Sequence, residues 1–390
     1  MSRSRSLTKR HKTWLWILPW LCTPLFLFAE GPDPSPKETI KQGTLVEPTH
    51  GPLVVLADGG LLVAQPVGLI AVDKKKPGSK REILLDSRLF GKIQLPTDRV
   101  AGIVFHPPPG VEARDAAVTK LLGNLTTDRV TLVNGDRLDG PLLDIQDRQI
   151  SVETPFGQTD LKLDRVASIT FATTEQKEKK IPQNKASFFT GWSDGSRLPV
   201  AKMTKTRQKQ LQAWPYATTT KPWIAPVDKL RFLQPLSPKE TVYLSDLTPS
   251  EYLHTPFLDH KLPLGTDRNV LGHPLRAGGT LYPKGLGTAS RSKLVYTLDK
   301  PFSRFEAELA IDDSTNGRGS VIFRVLLDGK PVYTSPVIRG NQKPIPISID
   351  TTDAKQLELE VDYAARADQL DRANWLDARL KRRGQRTENR

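Results

Sequence analysis

Cysteine is almost absent, with one in 390 residues. A single thiol excludes a disulfide framework and any cysteine-based zinc site. The six histidines are scattered, and none falls in an H-E-x-x-H spacing. These gaps exclude a disulfide-stapled scaffold and weaken most enzyme readings. Proline, in contrast, is abundant: 32 residues, about 8% against a usual share of about 5%. With 37% hydrophobic residues, such a chain argues against a helical bundle and for short strands joined by turns. At about 100–200 residues per domain, the length allows two to four domains.

The first twelve residues carry Arg3, Arg5, Lys9, Arg10 and Lys12 and no acid. An apolar run to Phe28 follows, then Ala29 and a polar, proline-rich stretch. A basic start, an apolar core and a small residue at the end is the pattern of an export signal, expected over 1–29. Leu27 sits where the cleavage rule prefers a small residue, so an uncleaved N-terminal anchor is the alternative. Either places the remainder outside the cytoplasm: periplasmic, cell-surface or secreted. The net charge of +14 would fall to about +9 on cleavage. It then favours anionic surfaces and polymers over nucleic acid as partners, or simply keeps the protein soluble.

The chain repeats itself. Phe90 to Phe105 and Phe156 to Phe171 align without a gap at an offset of 66, sharing Asp-Arg-Val-Ala and both terminal phenylalanines. Val130 to Leu143 alternates around an Asn134-Gly135 turn, and further short period-2 runs follow to Phe171, the signature of an antiparallel meander. Asp58-Gly59-Gly60 holds the turn position in the first copy. A divergent, basic third copy runs over 188–235, with Trp192-Ser193-Asp194-Gly195 at its turn and Trp214, Tyr216 and Trp223 as core or as a flat binding platform. Five such strands can close into a small barrel. The run L-V-N-G-D-R-L-D-G-P-L weakly resembles Sm-like or SH3-like barrels. Asp98-Arg99 and Asp164-Arg165 are read as structural turn contacts. The expected parts are a linker 30–45, repeats at 46–110, 111–175 and 176–238, a C-terminal module 239–381 and a basic tail 382–390.

From Thr241 the texture changes to about eight strand-like runs with hairpin spacing and no helical stretch before the end. Such sheets must pack face to face as a β-sandwich. Tyr282-Pro283-Lys284-Gly285-Leu286-Gly287-Thr288, Ile311-Asp312-Asp313, Gly319 to Phe323, Asp328-Gly329-Lys330, Leu357 to Val361 and Asn374 to Leu380 occur in an order and spacing that resemble the NPCBM family, over roughly 240–381. The resemblance implies a galactose-binding-like jelly roll with a non-catalytic, sugar-binding role. The chain departs from the family at Thr288-Ala289-Ser290-Arg291, where a His-containing loop is usual, and at Leu370 to Trp375. The fold expectation is therefore all-β: tandem small β-barrel repeats followed by a galactose-binding-like jelly-roll β-sandwich.

A sugar site needs an aromatic face and polar groups that hold hydroxyls. Tyr282, Lys284, Thr288 and Arg291 cluster around one loop and are the candidate carbohydrate-binding residues. Asp312 and Asp313 open a stretch like the start of a calcium loop. Phe323 at the twelfth position excludes an EF-hand and leaves another calcium geometry open. No other cofactor and no catalytic residue is assigned. The expected function is recognition of a glycan or cell-surface polymer, without catalysis. The alternative is an assembly protein of the cell envelope that uses barrels and sandwich for protein contacts. Nucleic acid is not an expected partner, and a membrane is one only if the leader stays attached.

Overall fold

The structure, a computed structural model, describes residues 42–43, 45–48, 50–71, 81–146, 148–172, 188–216, 221–236, 241–257, 261–299, 302–365 and 367–383. The expected leader, most of the expected linker and most of the expected basic tail lie outside these. Residues 36–390 form one compact unit. Nearly all of its elements are strands.

The three sequence copies follow one path. Each opens with a hairpin, turned by Gly59, Gly135 or Gly195 at φ of 83°, 92° and 89°. Only glycine adopts that conformation without cost. Each ends in a one-turn 3-10 helix (Thr97–Arg99, Leu163–Arg165, Val227–Lys229) feeding a last strand. The carbonyls of Arg99, Arg165 and Lys229 accept the N–H groups of Ala57, Val133 and Ser193 at 3.0, 2.9 and 2.9 Å. The repeated Asp-Arg pair thus belongs to a turn that ties the last strand to the first hairpin.

The copies are not separate barrels on a string. Their opening hairpins and last strands join in one twelve-stranded sheet, in the order third copy, first copy, second copy. The last strands of the first two copies, Val100–Val104 and Val166–Thr170, pair antiparallel with Ile103 opposite Ile169. Those two residues are equivalent in the repeat, so a local two-fold relates the copies. The first and third copies meet through their second strands, where Leu61 faces Arg197. The remaining strands of copies one and two form two three-stranded meanders. Edges expected to close each barrel on itself instead join neighbouring copies where they meet, and the strand Arg137–Asp139 ends the sheet among the described residues. Trp192 and Trp223 are buried in the shared core. Trp214 is half-buried, with the Lys202 ammonium 5.0 Å from its ring.

Among the described residues one α-helix interrupts the strands. Val111–Lys120 follows Pro109-Gly110 and is rich in alanine, the strongest helix former. Its Ala117 and Val118 pack on Leu53, Val55, Ala101 and Val104. The strand Leu53–Leu56 is therefore covered on both faces, with Val54 and Leu56 in the main core.

The C-terminal part is a sandwich of two six-stranded antiparallel sheets. Alternation decides what faces inward: Val321, Phe323 and Val325 from one strand, Leu357, Leu359 and Val361 from its neighbour. Trp375 fills the centre, edge-on to Phe323 with ring centres 4.8 Å apart. The end of the module is the eleven-residue strand Arg372–Arg382, not a helix. Among the described residues no helix is long and apolar enough to cross a membrane.

Candidate functional site: a groove between the sandwich loops and the helix

A groove of about 570 Å³ opens between the helix and the sandwich. One wall is the start of the helix, Val111 to Ala113 with Asp115. The other is made by sandwich loops, with Asn269, His273, Arg276, Asp313 and Asn316.

Its shape depends on two buried polar centres. Asn269 donates from Nδ2 to Asp312 Oδ1 at 2.9 Å, and its Oδ1 accepts the N–H groups of Leu271 and His273 at 2.9 and 3.0 Å. Asp312 is 1% exposed. Its Oδ1 also accepts from Ser314 N, and its Oδ2 accepts from Asn374 Nδ2 at 2.6 Å and Arg276 N at 3.4 Å. Asp313 accepts the N–H groups of Gly278 and Gly279, both at 2.8 Å. Carboxylates satisfied this way, Asp312 buried and Asp313 half-buried, hold the loop in one shape.

The second centre joins the sandwich to the repeats. The Arg276 guanidinium meets Asp115 at 2.6 and 3.2 Å and Glu47 at 2.7 Å. Arg197, from the third copy, takes the other Glu47 oxygen at 2.7 Å. Burial pushes the Glu47 carboxyl up, but Arg197 and Arg276 outweigh it and hold it below the usual range. A second seam lies at Gln234, whose Nε2 donates to Asp377 Oδ1 at 3.2 Å.

The residues singled out from sequence lie elsewhere. Tyr282 is buried, its hydroxyl donating to Glu308 at 2.8 Å. Lys284 is buried between Asp246 and Asp267, both at 2.7 Å, with its ammonium 5.5 Å from the Tyr243 ring centre. Thr288 is fully buried, its hydroxyl 3.4 Å from the Ala373 carbonyl. Burial takes these three out of reach of a ligand arriving from solvent. Arg291 is exposed, its guanidinium 5.9 Å from the Tyr363 ring centre. Asp312 and Asp313 do border the groove, but their oxygens face N–H donors. A calcium ion would have to displace those donors. Among the described residues no cluster of three or more His, Cys, Asp or Glu side chains is arranged to hold a metal.

Gly191-Trp192-Ser193-Asp194-Gly195 carries the letters G-x-S-x-G of a nucleophile elbow, which require a strand-to-helix turn. Here the run turns a hairpin between Phe188–Trp192 and Arg197–Lys205. Asp194 accepts from the Ser196 N–H and hydroxyl at 2.9 and 3.0 Å. The hairpin reading of the sequence holds, and no elbow forms.

Comparison with known proteins bears on the sandwich. Residues 240–381 match the NPCBM/NEW2 domain family. A Renibacterium salmoninarum protein, provisionally named an endo-alpha-N-acetylgalactosaminidase, is 30% identical over 151 residues, covering 37% of this chain and 10% of that protein. The alpha-1,3-galactosidase B of Akkermansia muciniphila is 30% identical over 122 residues, covering 30% of this chain and 15% of that protein. The chain thus spans only a small part of either relative. Among solved structures, a CBM51 module from Clostridium perfringens GH95, in complex with methyl-galactose, is 23% identical with a TM-score of 0.33. That match covers 36% of this chain and 99% of the module. The comparisons lend no support to the Sm-like or SH3-like resemblance of the repeats.

Proposed function

We propose that this chain is an exported, non-catalytic glycan-binding protein, with the sugar held in the groove between the sandwich loops and the helix. The observation that carries the reading is a match to the NPCBM/NEW2 domain family, over a sandwich whose loops line a preformed, largely apolar groove with a few polar groups at its rim. Asn316 and His273 offer donors and acceptors suited to sugar hydroxyls. The basic, apolar, small-residue order of 1–29 supports export. Carboxylates line the groove too, but a glycosidase needs one of its pair raised as an acid. Glu47 is shifted the opposite way. The carboxyls that burial does push up to about 6, Asp58 and Asp371, do not line the groove.

A second reading is an assembly protein of the envelope. It is favoured by Arg276, whose guanidinium is committed to Asp115 and Glu47 rather than offered to a ligand. The test uses the full chain. Ala113→Trp fills the groove from the exposed start of the helix. Loss of glycan retention with unchanged melting supports the first reading. Retention equal to wild type places the sugar elsewhere, and Arg291→Ala then tests the exposed member of the loop cluster.

A further inference from the structure

The repeats contain a contact made once and prepared a second time. Phe90 sits at the tip of the hairpin between Arg81–Ser87 and Gly91–Pro96. Its ring lies between Trp192 and Trp223 of the third copy, with ring centres 5.1 and 5.4 Å away. The same first-to-third contact pairs the second-strand edges at Leu61 and Arg197, and the Val63 N–H donates to Ser196 Oγ at 3.0 Å. The contact therefore has two parts, a strand edge and an aromatic knob.

Among the described residues, no strand pairs with the edge of the second copy and its knob is bare; the Asp139 carboxylate of that edge is held by Arg129 of its own hairpin at 2.6 and 2.8 Å. Phe156, the equivalent of Phe90, stands at the tip of the matching hairpin and is 100% exposed. The strand Arg137–Asp139, equivalent to Leu61–Val63, ends the twelve-stranded sheet among the described residues. Positions behind it are less covered than their counterparts. Leu132 and Leu161 are each 8% exposed where Leu56 and Leu95 are 0%. Leu138 is half-buried where Leu62 is fully buried. A local two-fold through Ile103 and Ile169 relates the two copies, so it carries the occupied face of the first onto the open face of the second.

We infer that this open face of the second repeat pairs with the same face of a second copy of the chain. The contact it imitates joins equivalent strands antiparallel, which is the geometry of an isologous dimer. The edge reads Arg137-Leu138-Asp139. Antiparallel self-pairing centred on Leu138 sets each Arg137 opposite Asp139 of the other copy. Like charges would meet if Arg137 faced itself, so charge selects the Leu138-centred register. Each Phe156 then leans on the other copy's second repeat. An edge of three residues and one aromatic ring is a small interface, so the association is weak and concentration-dependent.

The test is sedimentation of the full chain across a concentration series. Wild type gains mass toward the dimer, and Phe156→Asp stays monomeric with an unchanged melting curve. In a Cys22→Ser background, Leu138→Cys gives an oxidant-dependent dimer that a thiol reverses. The inference is overturned if wild type stays monomeric into the high-micromolar range. It is equally overturned if Phe156→Asp associates as wild type does, or if Leu138→Cys forms no cross-link.

Discussion

The Arg276 guanidinium reaches the Asp115 carboxylate at 2.6 Å across 161 residues of sequence, joining a sandwich loop to the helix of the repeats. Both side chains are buried. Glu47 and Arg197 complete the cluster, so the groove is walled by two parts of the chain held as one.

Removing one member leaves a buried charge without its partner, which costs about 3–5 kcal/mol. Arg276→Ala should therefore lower stability by an amount of that order in chemical denaturation. Asp115→Ala in the Arg276→Ala background should add much less than it does alone, since the two belong to one network. Additive losses would show that the cluster does not act as a unit.

Phe90 and Phe156 separate packing from exposure. Phe90→Ala gives up its contact with two tryptophans and should cost about 2–4 kcal/mol. Phe156→Ala, on a fully exposed ring, should change monomer stability by less than about 0.5 kcal/mol. Equal losses in urea melts would contradict the different placement of these equivalent residues.

Lys284 is read as a structural cation. Burial would lower its pKa, but Asp267 and Asp246 outweigh that and raise it. The ammonium therefore stays charged at neutral pH, and its stabilisation is lost only in strong alkali. Lys284→Ala should cost about 3 kcal/mol by stranding two carboxylates. Any surviving folded protein should keep glycan affinity. Loss of affinity at full stability would return Lys284 to the binding site.

Asp371 sets a pH dependence. Burial pushes its carboxyl up to about 6, against the opposing Ser320 N–H. Its folded pKa exceeds the unfolded value near 3.9. The folded state then holds the extra proton, and stability falls as pH rises from about 4 to 6. Asp371→Asn should flatten that fall by roughly 2–3 kcal/mol, leaving the part due to Asp58, which burial also pushes up to about 6. Denaturation at pH 4 and pH 7 measures it, and an unchanged slope would contradict the assignment.

The strands were legible because their alternation and turns are local. The offset of 66 exposed the repeat, and Asn134-Gly135 marked its hairpin. Fusion into one sheet was not legible, since strand edges carry no mark of what pairs with them. The helix escaped notice because its buried residues, Arg114 and Asp115, are types that read as surface. Tyr282 and Lys284 looked like a site because an aromatic and a cation beside a Gly-x-Gly turn fit a sugar. Their true partners, Glu308, Asp246 and Asp267, lie on other elements. Of the groove, the sequence marked Asp312 and Asp313 but missed Asn269 and Arg276, whose roles follow from contacts distant in the chain. Asn269 alone left a local trace, the Asx-type turn onto Leu271.

The most direct measurement is an array of neutral and acidic glycans probed with the folded full chain, with and without calcium, followed by mass spectrometry of the recovered glycans. Saturable retention on at least one glycan class, with the sugars recovered intact, is the predicted result. No retention anywhere on the array, or recovery of cleaved glycan, would contradict a non-catalytic glycan-binding protein.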